Sequence, residues 1–230
     1  MSKLPVVLLH GLNTTGAVWD DVAARLDRPV TAPELAPLET VEAIADAVAA
    51  EAPARFHLAG YSFGGYVALA LLERHRQRIE SLMMVSSSAT ADNEAVRQFR
   101  LESIARTEAE GVDANAGSIA MAFHPASAVD PALMDRALGL MRASGAARYV
   151  AHSRACIARP DRKALLAATD CPRMFVSGDG DRIVPLSRQT ASAEAAGVAL
   201  KLIAGAGHLL PIEQPAALAD AMTAWLAGRP

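Results

Sequence analysis

The chain has 230 residues, 52% of them hydrophobic and 20% charged, with 22 Lys and Arg against 25 Asp and Glu. That is length for one large domain, and low charge without biased tracts excludes a disordered chain. A net charge of −3 with no basic block excludes a nucleic-acid partner, and no stretch approaches the roughly 18 apolar residues of a membrane span. Val6–Leu9 is a buried strand candidate, and Thr14–Leu26 reads as a helix with Val18, Trp19, Val22 and Leu26 at helical spacing. Pro29–Ala32 is a short second strand. Val41–Ala50 is helical, Arg55–Ala59 extended, and Phe63–His75 a helix opened by glycines. Leu82–Val85, Met174–Val176 and Leu200–Ile203 are further strands, and Gln214–Ala227 closes the series as a helix. Strands alternating with helices predict an α/β fold, a parallel sheet covered on both faces.

One region departs from this alternation. From Ala89 to Ala168 only helical patterns occur, at Glu94–Glu110, Pro131–Ala143 and Ala146–Ala158. No linker bounds the region and no internal repeat appears. It reads as a helical cap at 89–168 inserted into a core made of 1–88 and 169–230, and not as an independent domain. Cys156 and Cys171 are too few for a disulfide framework or a zinc quartet, and they read as reduced thiols. The apolar run at Val6 is cut by His10-Gly11, too soon for a secretory signal. The expected location is the cytoplasm.

The strongest chemical signal is Gly60-Tyr61-Ser62-Phe63-Gly64-Gly65, between a predicted strand and a predicted helix. A sharp turn there presents Ser62 at the positive end of the helix, with tiny residues needed on either side. A serine nucleophile needs a base, and the base an orienting acid. Gly205-Ala206-Gly207-His208 follows the last predicted strand and offers His208 as base. Ser177-Gly178-Asp179-Gly180-Asp181 follows the strand before it and offers two acids, Asp179 and Asp181. A calcium loop starting at Asp179 is excluded, because its twelfth residue is Thr190 and its sixth is not glycine. Leu9-His10-Gly11-Leu12-Asn13 follows the first strand; the amides of Leu12 and Phe63 are the candidate oxyanion donors, with His10 bracing the loop.

Taken together, His10-Gly11, the Gly60–Gly64 turn, Gly178-x-x-Asp181-x-Ile183-x-Pro185 and Gly207-His208 resemble the α/β-hydrolase superfamily over nearly the whole chain. The resemblance selects Asp181 over Asp179, since the family's acid sits third after the glycine of that motif. Five residues precede Val6, where many members carry a two-stranded hairpin. The resemblance therefore implies about six mostly parallel strands, as in the small esterases and hydroxynitrile lyases. Serine at the nucleophile position argues against dehalogenase and epoxide hydrolase chemistry, where the superfamily places Asp. No G-x-G-x-x-G or P-loop occurs, and no His/carboxylate pair has metal-ligand spacing, so neither cofactor nor metal is expected.

The expected reaction is hydrolysis of a small carboxylic ester through an acyl-enzyme. C–C hydrolysis, cyanohydrin cleavage and perhydrolysis use the same triad and stand as alternatives, as does a slowly hydrolysing ligand receptor of the same fold. For the substrate pocket the cap offers Phe123, His124, Tyr149 and His152, with Met121, Met134, Met141 and Ile157 as further apolar candidates. The expected partner is a small ester-like molecule, and the sequence leaves the oligomeric state open.

Overall fold

A computed structural model describes residues 3–229. Six parallel strands form one sheet: β1 (Val6–Leu9), β2 (Val30–Thr31), β3 (Phe56–Tyr61), β4 (Ile79–Val85), β5 (Arg173–Gly178) and β6 (Leu200–Ile203), in the order β2-β1-β3-β4-β5-β6. The register pairs Leu9 with Gly60, Tyr61 with Val85, Val85 with Val176, and Gly178 with Ile203. The carboxyl ends of β1, β3, β4, β5 and β6 are therefore aligned along one edge. Every chemical motif found in the sequence leaves the sheet at that edge, where open parallel sheets bind ligands.

The helices are α1 (Asp20–Ala23), α2 (Val41–Glu51), α3 (Phe63–Arg74), α4 (Glu94–Glu110), α5 (Pro131–Ser144), α6 (Ala146–Ala158), α7 (Lys163–Ala168), α8 (Leu186–Ala195), α9 (Leu210–Glu213) and α10 (Pro215–Leu226). Successive strand residues face opposite sides of the sheet. Val7, Leu9, Leu58, Leu82 and Met84 accordingly pack with α2, α3 and α8 on one face. Val6, Leu8, Ala59, Met83 and Val85 pack with Trp19, Val22 and α10 on the other. α10 presents Leu218, Met222 and Trp225, one turn apart, to that second core.

Helix boundaries follow local chemistry. The Thr40 hydroxyl caps α2 by accepting from the Ala43 amide at 3.2 Å, and the Asn93 carbonyl caps α4 by accepting from Val96 N–H at 2.9 Å. Asp130 caps α5, with Pro131 in the first turn, and Gly145 ends it at φ 77°. Between β4 and β5, α4 to α7 and a 3₁₀ stretch at Val112–Ala122 are the regular elements, and no strand intervenes.

The helix expected over Thr14–Leu26 is instead a 3₁₀ turn at Gly16–Trp19 followed by the single turn of α1. The Thr14 hydroxyl bonds the Gly11 carbonyl at 2.9 Å and the Gly16 amide donates to Glu34 Oε1 at 2.8 Å, which draws this segment into the loop after β1. A methyl group on Gly16 would lie 2.4 Å from the Ala32 carbonyl oxygen, so the chains touch there. α8 has no signature in the hydrophobic pattern because Gln189 and Ser192, both polar, lie on its buried face. Strands β3, β4 and β5 run longer than their apolar cores, since neighbouring strands carry the ladder into flanking polar residues. Cys156 and Cys171 are both free and buried.

Candidate active site

Ser62 lies between β3 and α3 with φ 50° and ψ −114°, a conformation that L-residues avoid. The turn is held by close backbone contact. A Cβ on Gly60 would sit 2.4 Å from the Gly64 carbonyl oxygen, and one on Gly64 would sit 2.3 Å from that of Leu9. The Ser62 carbonyl accepts from the Gly65 amide at 3.0 Å and from the Ser87 hydroxyl at 2.7 Å. Gly65 leaves room for that second bond, since a methyl there would overlap the Ser87 hydroxyl. Strain at Ser62 is thus over-determined by its surroundings.

The His208 ring bridges two partners. Its Nε2 lies 2.9 Å from Ser62 Oγ and its Nδ1 lies 3.0 Å from Asp181 Oδ2. In the neutral ring Nδ1–H donates to the carboxylate, which leaves Nε2 to accept from the serine hydroxyl. The other carboxylate oxygen of Asp181 accepts from the amides of Ile183 at 2.9 Å and Val184 at 3.0 Å. Gln189 Nε2 donates to Asp181 Oδ2 at 3.0 Å and to the Val184 carbonyl at 2.8 Å. Burial pushes the Asp181 carboxyl up. The charge and hydrogen bond of His208, with the Val184 and Ile183 amides, outweigh burial and hold it below the usual carboxylate range. Asp179 lies apart from this chain, and its Oδ1 accepts from the Gly205 amide at 3.0 Å.

The loop after β1 approaches the same point. A methyl on Gly11 would lie 2.7 Å from the Tyr61 ring and 3.4 Å from Ser62 Cβ, which puts the Gly11-Leu12 backbone beside the serine. The buried His10 braces this loop. Its Nε2 accepts from the Leu35 amide at 3.0 Å, so Nδ1 carries the proton and donates to the Gly11 carbonyl at 2.9 Å. Burial lowers the His10 pKa from the ordinary histidine value, against the opposing pull of that carbonyl. The Phe63 amide opens the 12-residue helix α3, whose dipole favours negative charge at this end.

The cap segment contacts these loops directly. The Ala122 carbonyl accepts from the amides of His208 at 2.7 Å and Leu209 at 3.3 Å. Phe123 is fully buried in the second core, and its carbonyl accepts from Arg182 at 3.2 Å. The His124 ring lies against Gly180, where a methyl group would meet its Cδ2 at 2.6 Å. His152 stacks on the Phe63 ring at 4.5 Å between centroids, and its Nε2 donates to the Ala36 carbonyl at 2.9 Å. Burial is the main cause that pushes the His152 pKa down to about 4. Tyr149 is buried on α6, Met141 is buried on α5, Met134 and Ile157 are half-buried, and Met121 is 57% exposed. A cavity of about 560 Å³ lies elsewhere, between Pro37 and Glu39, α4 and α6, and Ser62 does not line it. His152 thus packs on the first residue of α3, beside Ser62, which is itself half-buried.

Sequence reasoning missed four groups here. Ser87, Gln189 and Glu213 are polar side chains whose partners are brought together only by folding. Tyr61, inside the turn motif, is the fourth. Its ring lies 5.4 Å from that of His208, and burial, reinforced by Asp181 and Glu213, keeps its hydroxyl protonated well above the usual range. No cluster of three or more potential metal-ligating side chains occurs among the described residues. Nor, among them, is any helix long and apolar enough to cross a membrane.

Three kinds of similarity bear on this geometry. A pimeloyl-[acyl-carrier protein] methyl ester esterase of Neisseria meningitidis serogroup A is 40% identical over 101 residues, 39% of this chain and 32% of that protein. The same-named protein of Aeromonas hydrophila is 37% identical over 95 residues, 36% of this chain and 37% of its own length. The chain thus spans about a third of the length of these curated relatives. Among solved structures, a thermophilic esterase from Thermogutta terrifontis superimposes with a TM-score of 0.91 at 26% identity, covering 98% of this chain and 90% of that one. The enol-lactonase of Burkholderia xenovorans shares the fold with a TM-score of 0.84 at 22% identity, covering 98% and 92%. The model of the alpha/beta hydrolase family matches residues 6–221, and with that match the chain belongs to the α/β-hydrolase family.

Proposed function

We propose that the protein is a serine hydrolase that cleaves small carboxylic esters through an acyl-enzyme. The observation that carries this reading is the hydrogen-bonded chain Ser62–His208–Asp181 at the carboxyl edge of the sheet. His208 Nε2 takes the Ser62 proton as Oγ attacks the ester carbonyl, and the resulting imidazolium is stabilised by Asp181. The Leu12 and Phe63 amides face the developing oxyanion, with the α3 dipole behind the second. His208 then protonates the leaving alcohol, and afterwards activates the water that releases the acid. Gln189 and the Ile183 and Val184 amides keep Asp181 ionised and oriented, and thereby select the Nδ1–H form of His208.

Ester cleavage is favoured over the other reactions of this triad because the curated relatives and the solved structure at 26% identity are named as esterases, whereas the meta-cleavage product hydrolase and the bromoperoxidase that share the fold do so at only 17% and 16% identity. The carrier-protein ester of the curated relatives is not carried over. Their match covers little of either chain, and the cap arginines Arg136, Arg142, Arg148 and Arg154 are each paired with a carboxylate of this chain. His152, stacked on Phe63 next to Ser62, is the pocket residue with a contact to support it, and Phe123, His124 and Tyr149 are the further candidates for the pocket wall. The test is a panel of p-nitrophenyl esters of increasing acyl length, run with Ser62→Ala and a serine-directed phosphonate. Turnover that falls with chain length, vanishes in Ser62→Ala and is blocked by phosphonate on Ser62 supports the reading. Turnover that survives Ser62→Ala overturns it.

A further inference from the structure

We propose that Glu213 is a positioning residue, which sets the His208 loop against both the serine turn and the cap. This inference rests on the hydrolase reading for its kinetic consequence, though not for its geometry. Glu213 ends the short helix α9, five residues after His208, and is buried. Each carboxylate oxygen serves a different piece of backbone. Oε1 accepts from the Gly207 amide at 2.9 Å, and Oε2 accepts from the His124 amide at 2.8 Å.

The two bonds fall at a close backbone contact of the site. A methyl group on Gly207 would lie 2.4 Å from His124 N and 2.5 Å from the Phe123 carbonyl carbon. The next two amides, of His208 and Leu209, both donate to the Ala122 carbonyl. Three successive amides of the histidine loop are thus committed, the first to Glu213 and the others to the cap segment. Glu213 in turn holds the cap segment two residues on from Ala122. The main chain of His208 has no freedom to move unless this clasp opens, and its ring must reach Ser62 at 2.9 Å.

Only a carboxylate satisfies the arrangement, because both partners are donors and both need an acceptor. An amide of the same shape would turn an N–H₂ group toward one of the two buried N–H groups. Either the histidine loop or the cap segment would then be released. A displacement of about 1 Å at a general base costs on the order of 100-fold in rate. The effect belongs in kcat, because binding of a small ester does not depend on the imidazole.

The experiment compares Glu213→Gln, Glu213→Asp and Asp92→Asn in the full chain, with p-nitrophenyl acetate as substrate. Asp92 pairs with Arg159 and Arg100 at the root of the cap, far in sequence from the triad, and serves as a control for lost stability alone. For Glu213→Gln, kcat should fall roughly 10- to 100-fold while KM changes less than about threefold. Glu213→Asp, which keeps two acceptor oxygens, should recover part of that loss. The downfield proton resonance of His208 Nδ1–H should shift or broaden in Glu213→Gln and stay in place in Asp92→Asn. Values of kcat within about twofold of the parent for both Glu213 variants would overturn the proposal. So would a kcat loss that Asp92→Asn matches at equal loss of Tm, or an unmoved proton resonance. Ser62→Ala in the same assay tests the hydrolase reading separately: survival of turnover there sinks that reading, while the resonance still decides the role of Glu213.

Discussion

The glycines of the sheet edge and those of the cap occupy opposite surroundings. At Gly60, Gly64, Gly178 and Gly207 an added methyl group would lie 2.2–2.4 Å from a backbone atom. At Gly111, Gly117, Gly139 and Gly145 it would meet nothing within 4 Å. The sheet-edge loops are fixed by backbone packed on backbone. The cap packs apolar side chains such as Phe123, Ala137 and Leu140 and adds arginine ion pairs to the core. Arg136 pairs with Asp21, Arg148 with Glu34, Arg154 with Glu39 and Glu108, and Arg162 with Glu42 and Glu73. Steric closeness tolerates no substitution, whereas half-exposed ion pairs each contribute only about 0–1 kcal/mol. On the proposed function, the sheet-edge loops carry the chemistry.

The largest expected effects lie in the sheet-edge loops. Ser62→Ala and His208→Ala should each lower kcat by roughly 10⁴- to 10⁶-fold with the fold intact. Asp181→Asn should cost up to about 10⁴, because an amide facing Nδ1 selects the wrong tautomer of His208. Asp179→Asn keeps an oxygen that accepts from the Gly205 amide, and should cost less than about 1 kcal/mol of stability with little change in kcat. Steady-state kinetics on the four variants settle the assignment. An Asp179 loss equal to that of Asp181 would break it.

A second contrast is steric. Gly64→Ala forces its methyl into the Leu9 carbonyl oxygen at 2.3 Å, with the His10 carbonyl oxygen only 2.7 Å away. Neither neighbour is a flexible side chain, so β1 and α3 must separate. The expected loss is roughly 3 kcal/mol, at the upper end for overpacking, together with loss of turnover as Ser62 shifts. Urea unfolding with matched activity measurements checks both. A Gly64→Ala variant of parent stability would show that this turn has more slack than its contacts allow.

These two regions also explain what the sequence discloses. The βαβ alternation is legible in the apolar runs and helical periodicity, the choice of Asp181 over Asp179 only through the family resemblance, and Ser62 and His208 in the glycines that close approach demands beside them. The bracing role of His10 is legible for the same reason, from Gly11 beside it. Glu213, Gln189 and Ser87 are not, because each acts on a backbone amide, a carboxylate or a carbonyl that only folding brings near. The split of the Thr14–Leu26 helix is hidden likewise, since Glu34 and the Ala32 carbonyl that interrupt it come from beyond β2. In the cap, helical periodicity marks the helices. It does not tell whether an arginine meets solvent or a carboxylate of the core.

Acid should act on the seam between the two regions. His152 stacks on Phe63 and is held at about 4 chiefly by burial, with His10 and Arg148 lowering it and Glu34 and the Ala36 carbonyl raising it. Its folded value lies below the unfolded one of about 6.5, so the unfolded chain takes up the proton first. Stability from this group is complete above pH ~6.5 and lost progressively as pH falls toward ~4, by about 3 kcal/mol in all. His10 titrates in the same sense. His152→Phe should therefore flatten only part of the slope of unfolding free energy between these pH values. An unchanged slope would show that the imidazole is hydrated or protonated in the folded state.

The smallest effect runs in the opposite direction and lies in the cap. Gly139 sits in the middle of α5, is exposed to solvent, and has no heavy atom within 4 Å of the position a methyl would take. Its neighbours on the buried face, Ala137, Leu140 and Met141, already make the contacts that hold the helix down. Nothing in its surroundings requires glycine, while glycine in a helix interior costs about 1 kcal/mol relative to alanine through the freedom it loses on folding. Gly139→Ala should stabilise the protein by about 0.5–1 kcal/mol and leave kcat for a small acetyl ester unchanged. Paired with Gly64→Ala, the same chemical change would then carry opposite signs in the two regions. If Gly139→Ala destabilises, α5 must bend or slide at that point when the cap moves. The comparison would then have to be redrawn, with the cap glycine serving motion where the sheet-edge glycine serves contact.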